Sequence, residues 1–320
     1  MSTANPSRRP ASRAGFLVGA VITLFWGVMM FTLVKDRILP QRREAVLSER
    51  SVAPAALTAD WHDQAEFMAV KLAGKEIGAA AATVTKVMEG QIPTYEAEFR
   101  MGIELSLVGI VRPISVRARG ELDGEFALSR FHFSADLAGY KLSATGRASQ
   151  DELLVQVDQG GGVNRARFQL DRRITLLEAV RPVATSRFKI KPGNTFAVPV
   201  VDPVWSMDHG TLVLTVKAPE TIEVDGAKVT AFPVESRLND QTSMSWVDAE
   251  GRTLKREVAG GLMLERTTEE KAIRLSPDIS KPVEMPRLDL AGFKDVQPRK
   301  LGPMAKGGKS PLDTLSKLFK

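Results

Sequence analysis

Chemistry has few places to reside in this chain. Cysteine is absent, which removes thiolate nucleophiles, disulfides and Cys-ligated metals together. The histidines, His62, His132 and His209, are too widely spaced for a helical or hairpin metal motif, and none has a partner at the i, i+4 spacing of common zinc sites. Ser206, Asp208 and His209 carry the letters of a hydrolytic triad, but residues this close in sequence cannot align nucleophile, base and orienter. Lys306–Ser310, KGGKS, echoes a phosphate loop; the loop's first glycine would fall at Pro303, and no strand pattern precedes it. The densest run of carboxylates and bases is SWVDAEGRTLKREVAGGLMLERTTEEKA, Ser245–Ala272. Ser245–Val247 alternates, Asp248-Ala249-Glu250-Gly251 reads as a turn, and Thr253–Val258 alternates again. Gly260-Gly261 then breaks the pattern, and Leu262 and Leu264 share a face before a helix-prone TTEEKA. Its charges are expected at turns and on a solvent face. No catalytic residue, metal ligand or cofactor is expected, and the chain reads as a non-enzyme.

The elements that surround these residues are mostly strands. Tyr95–Leu107, YEAEFRMGIELSL, puts Tyr95, Ala97, Phe99, Met101, Ile103, Leu105 and Leu107 on one face and Glu96, Glu98, Arg100, Glu104 and Ser106 on the other, which is a long strand with one wet side. The pattern recurs at Ile114/Val116/Ala118, Phe131/Phe133/Ala135/Leu137, Tyr140/Leu142/Ala144, Leu153/Val155/Val157 and Ala166/Phe168/Leu170. Gly- and Asp-containing turns such as ELDGEF and DQGGGV separate the strands, so they read as an antiparallel meander. A second run covers Leu212–Val216, Ile222–Val224, Lys228–Val234 and Met244–Val247, with Asp225-Gly226 as a two-residue turn. The expected fold is mainly β, a large curved antiparallel sheet forming an open half-barrel whose concave face can hold something apolar. Between Gln169 and Val201 the pattern is too irregular for another meander strand, and Ile174, Leu176, Leu177, Ala179 and Val180 read as a lid or plug over that face.

Phe16–Val34, FLVGAVITLFWGVMMFTLV, is nineteen residues without a charge, enough at about 1.5 Å per residue to cross roughly 30 Å of hydrocarbon. It reads as an uncleaved transmembrane anchor, represented by Phe16, Leu24, Trp26 and Phe31, because Lys35, Asp36 and Arg37 follow it where a signal peptide would have small residues. Arg8, Arg9 and Arg13 precede the span, and Lys35, Arg37, Arg42 and Arg43 follow it, so charge alone does not fix its direction. The net charge of +6 lies mostly at the two ends, away from any aromatic-studded patch, which argues against nucleic-acid binding. The domain plan is a basic cytoplasmic arm at 1–15, the anchor at 16–34, a stalk at 35–60, a β-domain at 61–276 and a disordered basic tail at 277–320. The tail closes on SPLDTLSKLFK, whose Leu312, Leu315, Leu318 and Phe319 share a helical face for a membrane, a partner or the chain's own sheet.

Several motifs carry a resemblance. Trp246-Val247-Asp248-x-x-Gly251-Arg252, a charged strand, Gly261-Leu262, and Glu265-Arg266-Thr267-x-x-Glu270-x-Ala272 resemble the close of a bacterial membrane-anchored envelope domain found alone or beside transglutaminase-like domains. Trp26 and Met29-Met30 in a span ending Ile38-Leu39-Pro40, the Gly74-Lys75-Glu76-Ile77-Gly78 hairpin, and Asp202-Pro203 agree with it, so the resemblance covers nearly Arg8–Ala272. It implies a sheet like the open β half-barrels of lipoprotein carriers, and a single-pass inner-membrane protein with its bulk periplasmic or extracellular. The implied partners are the lipid bilayer, a lipid or acylated ligand, and a transglutaminase-like or transporter protein. The fused versions carry a Cys-His-Asp domain; this chain ends without one, so peptidase or crosslinking activity is expected of a separate protein. Two functions remain open: the curved sheet binds a lipid, acyl chain or protein segment, or it only docks a partner as an accessory scaffold. An apolar hollow would favour the first and a well-filled sheet the second.

Overall fold

The computed structural model describes residues 57–58, 61–107, 110–170, 173–187, 190–202, 208–238, 241–258 and 261–300. The chain divides into two units, 1–49 and 50–320, and the described residues all belong to the second. The expected anchor, with Phe16, Leu24, Trp26 and Phe31, lies outside them, as do Leu312, Leu315, Leu318 and Phe319. Among the described residues no helix is long and apolar enough to cross a membrane.

Eight strands follow one another as a meander: β1 Gln64–Leu72, β2 Lys75–Glu89, β3 Ile92–Leu107, β4 Ile110–Leu122, β5 Leu128–Leu137, β6 Tyr140–Ala148, β7 Glu152–Asp158 and β8 Val163–Gln169. Each pairs antiparallel with the next. The tight turns Ala73-Gly74 and Ala138-Gly139 have both residues at positive φ, the conformation that matches strand twist in two-residue hairpins. A second run follows: β10 Thr195–Asp202, β11 Asp208–Val216, β12 Glu220–Val224, β13 Ala227–Leu238, β14 Gln241–Val247, β15 Thr253–Val258 and β16 Leu262–Arg266. Because β16 pairs with β1, the two runs form one sheet. The β12–β13 hairpin, turned at Asp225-Gly226, reaches back over the solvent side of the sheet. There Glu220 accepts from the Trp246 indole at 2.5 Å and the Asp225 amide donates to Glu265 at 3.1 Å.

The sheet is mixed rather than purely antiparallel. After β8 the chain leaves the meander, forms the two-residue strand β9, Thr175–Leu176, and the helix α1, Leu177–Arg187. It has crossed to the other edge of the sheet by then, so β9 lies parallel to β10. The expected lid region therefore contains a short strand, a helix and most of β10. A second parallel contact comes from the C-terminal end. After α2, Glu269–Leu275, capped by Thr268, residues 276–300 run as a strap across the convex face and finish as β17, Pro298–Lys300, parallel to β8. For residues 277–300 this corrects the disordered tail expected over 277–320, the rest of which lies outside the described residues. Ile279, Val283 and Phe293 of the strap are buried, which gives an extended proline-rich segment the apolar anchors that disorder lacks. The stalk is corrected at one point, since Leu57 is fully buried in the main core.

Alternation assigns the two faces. The odd residues of β3 named above are buried from Tyr95 to Leu105, and the same parity holds in β5 and β7; they make the concave core. On the convex side, α2 and the strap's first turn pack Ala272 and Ile279 against Ala79 and Ala81. The alanine run in β2 is the surface small enough to admit them.

Candidate functional site: the plugged concave face

The plug positions meet inside the half-barrel. Ile174, Leu176, Leu177 and Val180 are 5%, 7%, 2% and 0% exposed, and Ala179, Val183 and Ala184 of α1 are equally buried. Glycines on the concave face make the room. A Cβ at Gly120 would fall 1.8 Å from the Leu176 Cδ1, and one at Gly146 would fall 2.1–2.8 Å from three atoms of the Phe131 ring. Burying Leu177, Val180 and Val183 contributes about 1.5–3 kcal/mol each, so α1 is part of the core and not a loose cover. Its weak points are Pro182 inside the helix, which lacks an amide donor, and the two-residue pairing of β9.

One sector of this apolar interior is polar. Glu66 shares its face with Met68 and Val70, and its carboxylate accepts from the Thr253 hydroxyl at 2.7 Å. Arg266, opposite Met68, donates to the Thr253 carbonyl at 3.2 Å. Arg256, opposite Leu264 and buried, shares that face. The Thr175 hydroxyl, at the start of the plug, is buried without a hydrogen-bond partner among the described residues. Sequence reading missed this sector, although Glu66, Arg256 and Arg266 stand at core parity once the register is known. Thr253–Val258 does alternate, but its charges were expected at turns and on a solvent face, and the burial of Arg256 opposite Leu264 corrects that expectation.

One rim of the meander is closed by aromatics. Trp61 lies 4.5 Å from Tyr95 and 5.6 Å from Phe126, ring to ring. Phe126 is fully buried at φ 59°. Asp123 holds that turn, accepting from the Glu125 and Ala127 amides at 2.9 and 3.1 Å. A cleft of about 210 Å³ beside it is lined by Asp123, Ser129, Ser149, Gln150 and Arg173, among others. It is smaller than typical ligand pockets of ~300–1,000 Å³, and its guanidinium is already engaged by Asp123 and Glu125.

The residues with chemical potential are not brought together. His62 precedes β1, and its carbonyl accepts from Gln64. His132 sits on the convex face of β5 with Nδ1 3.0 Å from the Thr145 hydroxyl. Burial pushes its imidazole below its ordinary value, while the nearby Glu284 of the strap partly opposes this. The backbone at His209 lies in β11, and Ser206 is outside the described residues. In the Ser245–Ala272 stretch, Asp248 accepts from the Glu250 and Arg252 amides at 3.1 and 2.8 Å and from Arg252 Nε at 2.6 Å, so it is a turn residue. Burial opposes ionisation of Glu265, but Lys71 at 2.5 Å and the Asp225 amide outweigh it and lower its pKa. Glu265 thus ties β1, β16 and the β12–β13 hairpin together. Among the described residues there is no group of three or more acids and histidines placed to hold a metal ion.

No family model matches the chain, and no curated protein matches it. Two solved structures are similar. One is the β-barrel-like protein of a domain of unknown function, DUF1849, from Brucella abortus, at 9% identity and a TM-score of 0.39, covering 63% of this chain and 95% of that one. The other is a DUF1089 protein from Pseudomonas aeruginosa, at 11% identity and a TM-score of 0.29, covering 56% of this chain and 90% of that one. No functional residue is carried over from either.

Proposed function

We propose that this is a non-catalytic, membrane-anchored envelope protein that acts as a docking scaffold for a partner protein. The observation that carries this is the occupied concave face. Leu177 and Val180 of the chain's own helix are 2% and 0% exposed there, so the hollow a bound acyl chain would need is already filled. Side chains that cover a surface in this way leave edges, rims and the convex face for recognition. The anchor reading of Phe16–Val34 and the resemblance to domains found beside transglutaminase-like domains support a partner in the envelope, of transglutaminase-like or transporter type.

A second reading, a carrier of a lipid or acylated ligand, is favoured by one local feature. The plug is interrupted by Pro182 and begins at a buried, unpartnered Thr175 hydroxyl. A helix with those defects is the element to move if the half-barrel opens. Titration of the full chain with an environment-sensitive fatty acid separates the two. The scaffold reading expects no saturable binding to the wild type. Saturable binding that changes in Leu176→Ser/Leu177→Ser overturns it in favour of the carrier.

A further inference from the structure

The meander ends on a strand with an open side. β8 pairs along its whole length with β7, from Asp158 opposite Val163 to Glu152 opposite Gln169. On its other side, among the described residues, Arg167–Gln169 pair with β17 and Val163–Ala166 have no strand beside them. Ala166 and Phe168, opposite Val155 and Leu153, share the concave face, and Arg165 and Arg167 take the convex one. An open edge of this kind is a template for another strand. The other margins of the sheet differ. β10 is flanked by β9 and has α1 packed on it. β12, the outer strand of its hairpin, carries Glu220 and Glu223, charge of the opposite sign.

The strap reaches this edge and is held there lightly. Its first part is fixed, since Ile279 and Val283 are buried and Arg119 donates to the Val283 carbonyl at 3.2 Å. From Glu284 to Arg299 the one buried residue is Phe293. Asp289 caps a single 3-10 turn, Leu290–Phe293, and its carboxylate lies 3.4 Å from the Arg165 Nη2. Gly292 approaches the same guanidinium so closely that a Cβ would fall 2.5 Å from it. β17 then adds three residues in parallel register, the slightly weaker kind of pairing, and opens on Pro298, which has no amide to donate. One carboxylate, one aromatic ring and a short strand hold the segment in place.

We propose that the outer edge of β8 is a docking edge for an extended strand of a partner protein, and that residues 287–300 are a built-in placeholder which that strand displaces. This rests on the scaffold reading above and gives it a surface. The placeholder states the chemistry of the occupant: a carboxylate for Arg165, an aromatic or large apolar side chain for the site of Phe293, and a main chain that pairs with β8. Main-chain pairing supplies affinity in such additions, and alternate side chains supply specificity. A longer strand also gains the outward backbone groups of Val163–Ala166, which β17 leaves open. A second copy of β8 is the wrong occupant. Antiparallel pairing about Ala166 would set Arg165 opposite Arg167, and like charges directly opposite destabilise a strand pair.

The test takes the full-length chain in non-ionic detergent and a fluorescent synthetic peptide of residues 287–300, RLDLAGFKDVQPRK. Phe293→Ser loosens the chain's own segment, so the peptide should bind that variant saturably and about tenfold or more tightly than the wild type, whose edge is free only in the opened fraction. The peptide with Asp289→Lys should bind several-fold more weakly, and so should the unchanged peptide on a Phe293→Ser/Arg165→Gln chain. In the wild type, the amides of Lys294 and Val296, which donate to the Ala291 and Phe293 carbonyls, should exchange faster than those of β3, because the segment opens alone. No binding to Phe293→Ser while β3 stays protected overturns the inference, as does equal binding of the charge-reversed peptide. Loss of β3 protection in Phe293→Ser, or exchange at Lys294 and Val296 as slow as in β3, also overturns it, because the segment is then part of the core. All of these results leave the scaffold reading on the other surfaces of the sheet; that reading falls to the fatty-acid titration instead.

Discussion

If α1 is a structural plug, shortening one of its buried side chains must weaken the whole domain. Leu177 is the first helical residue and is 2% exposed, whereas Leu290 on the strap is 45% exposed. Leu177→Ala removes three carbons and their packing from the concave core. Losses of this type cost about 2.7–5 kcal/mol, depending on how far the surroundings collapse. Taking the lower part of that range, a cost of about 3 kcal/mol is expected at Leu177. With a urea slope of about 2 kcal/mol per molar, that is a midpoint shift of about 1.5 M. Leu290→Ala should stay within about 0.5 kcal/mol, or 0.25 M. The assay is urea unfolding of the full chain in non-ionic detergent, followed by tryptophan emission, with Trp61 and Trp246 reporting on the sheet. Equal midpoints for the two variants would refute the plug, because a helix that merely rests on the sheet contributes no more than a surface leucine.

Three further outcomes are expected. Ile103→Asp buries an unpaired carboxylate at a position 5% exposed and should cost several kcal/mol, while Glu104→Ala on the solvent face should be nearly silent in the same unfolding assay; similar losses would mean that the strand register is wrong. Gly146→Ala drives a Cβ into the Phe131 ring and should cost about 1–3 kcal/mol, with Phe131→Leu in the same chain recovering part of it; no recovery would place the clash elsewhere. His132 has its pKa lowered by burial, so the unfolded chain binds the proton more readily and stability must fall as pH drops below the ordinary imidazole value of about 6.5. His132→Gln should flatten that part of the stability–pH curve, Glu284→Gln should steepen it, and a wild-type curve flat through the window would contradict the assignment.

The sheet was legible because most of its residues obey one rule. From Tyr95 to Leu105 every second side chain enters the core, and turns such as Asp225-Gly226 need residues that tolerate positive φ, so strand and turn positions show in the letters themselves. The Ser245–Ala272 stretch resolved in the same way into β14, a turn, β15, β16 and α2. Long-range placement was not legible. Nothing between Gln169 and Val201 states that the chain crosses to the far edge and returns parallel. Proline and lysine after Pro282 suggest disorder because the surface that buries Val283 and Phe293 comes from strands more than a hundred residues earlier. The polar sector of Glu66, Thr253, Arg256 and Arg266 is likewise a product of pairing β1, β15 and β16, which local pattern cannot supply. The plug leucines were legible as apolar and irregular, yet whether they roof a hollow or fill it depends on tertiary packing alone.

Hydrogen exchange along α1 tests the account at its centre. The occupied concave face requires the amides of residues 181–187, apart from Pro182, to exchange as slowly as those of β3, since both then open only with the domain. Adding a long-chain fatty acid to the full-length protein should leave them unchanged. Fast exchange in α1 beside a protected β3, or a fatty acid that deprotects α1 while the sheet stays closed, would show that the helix is a lid over a binding hollow and would contradict the account.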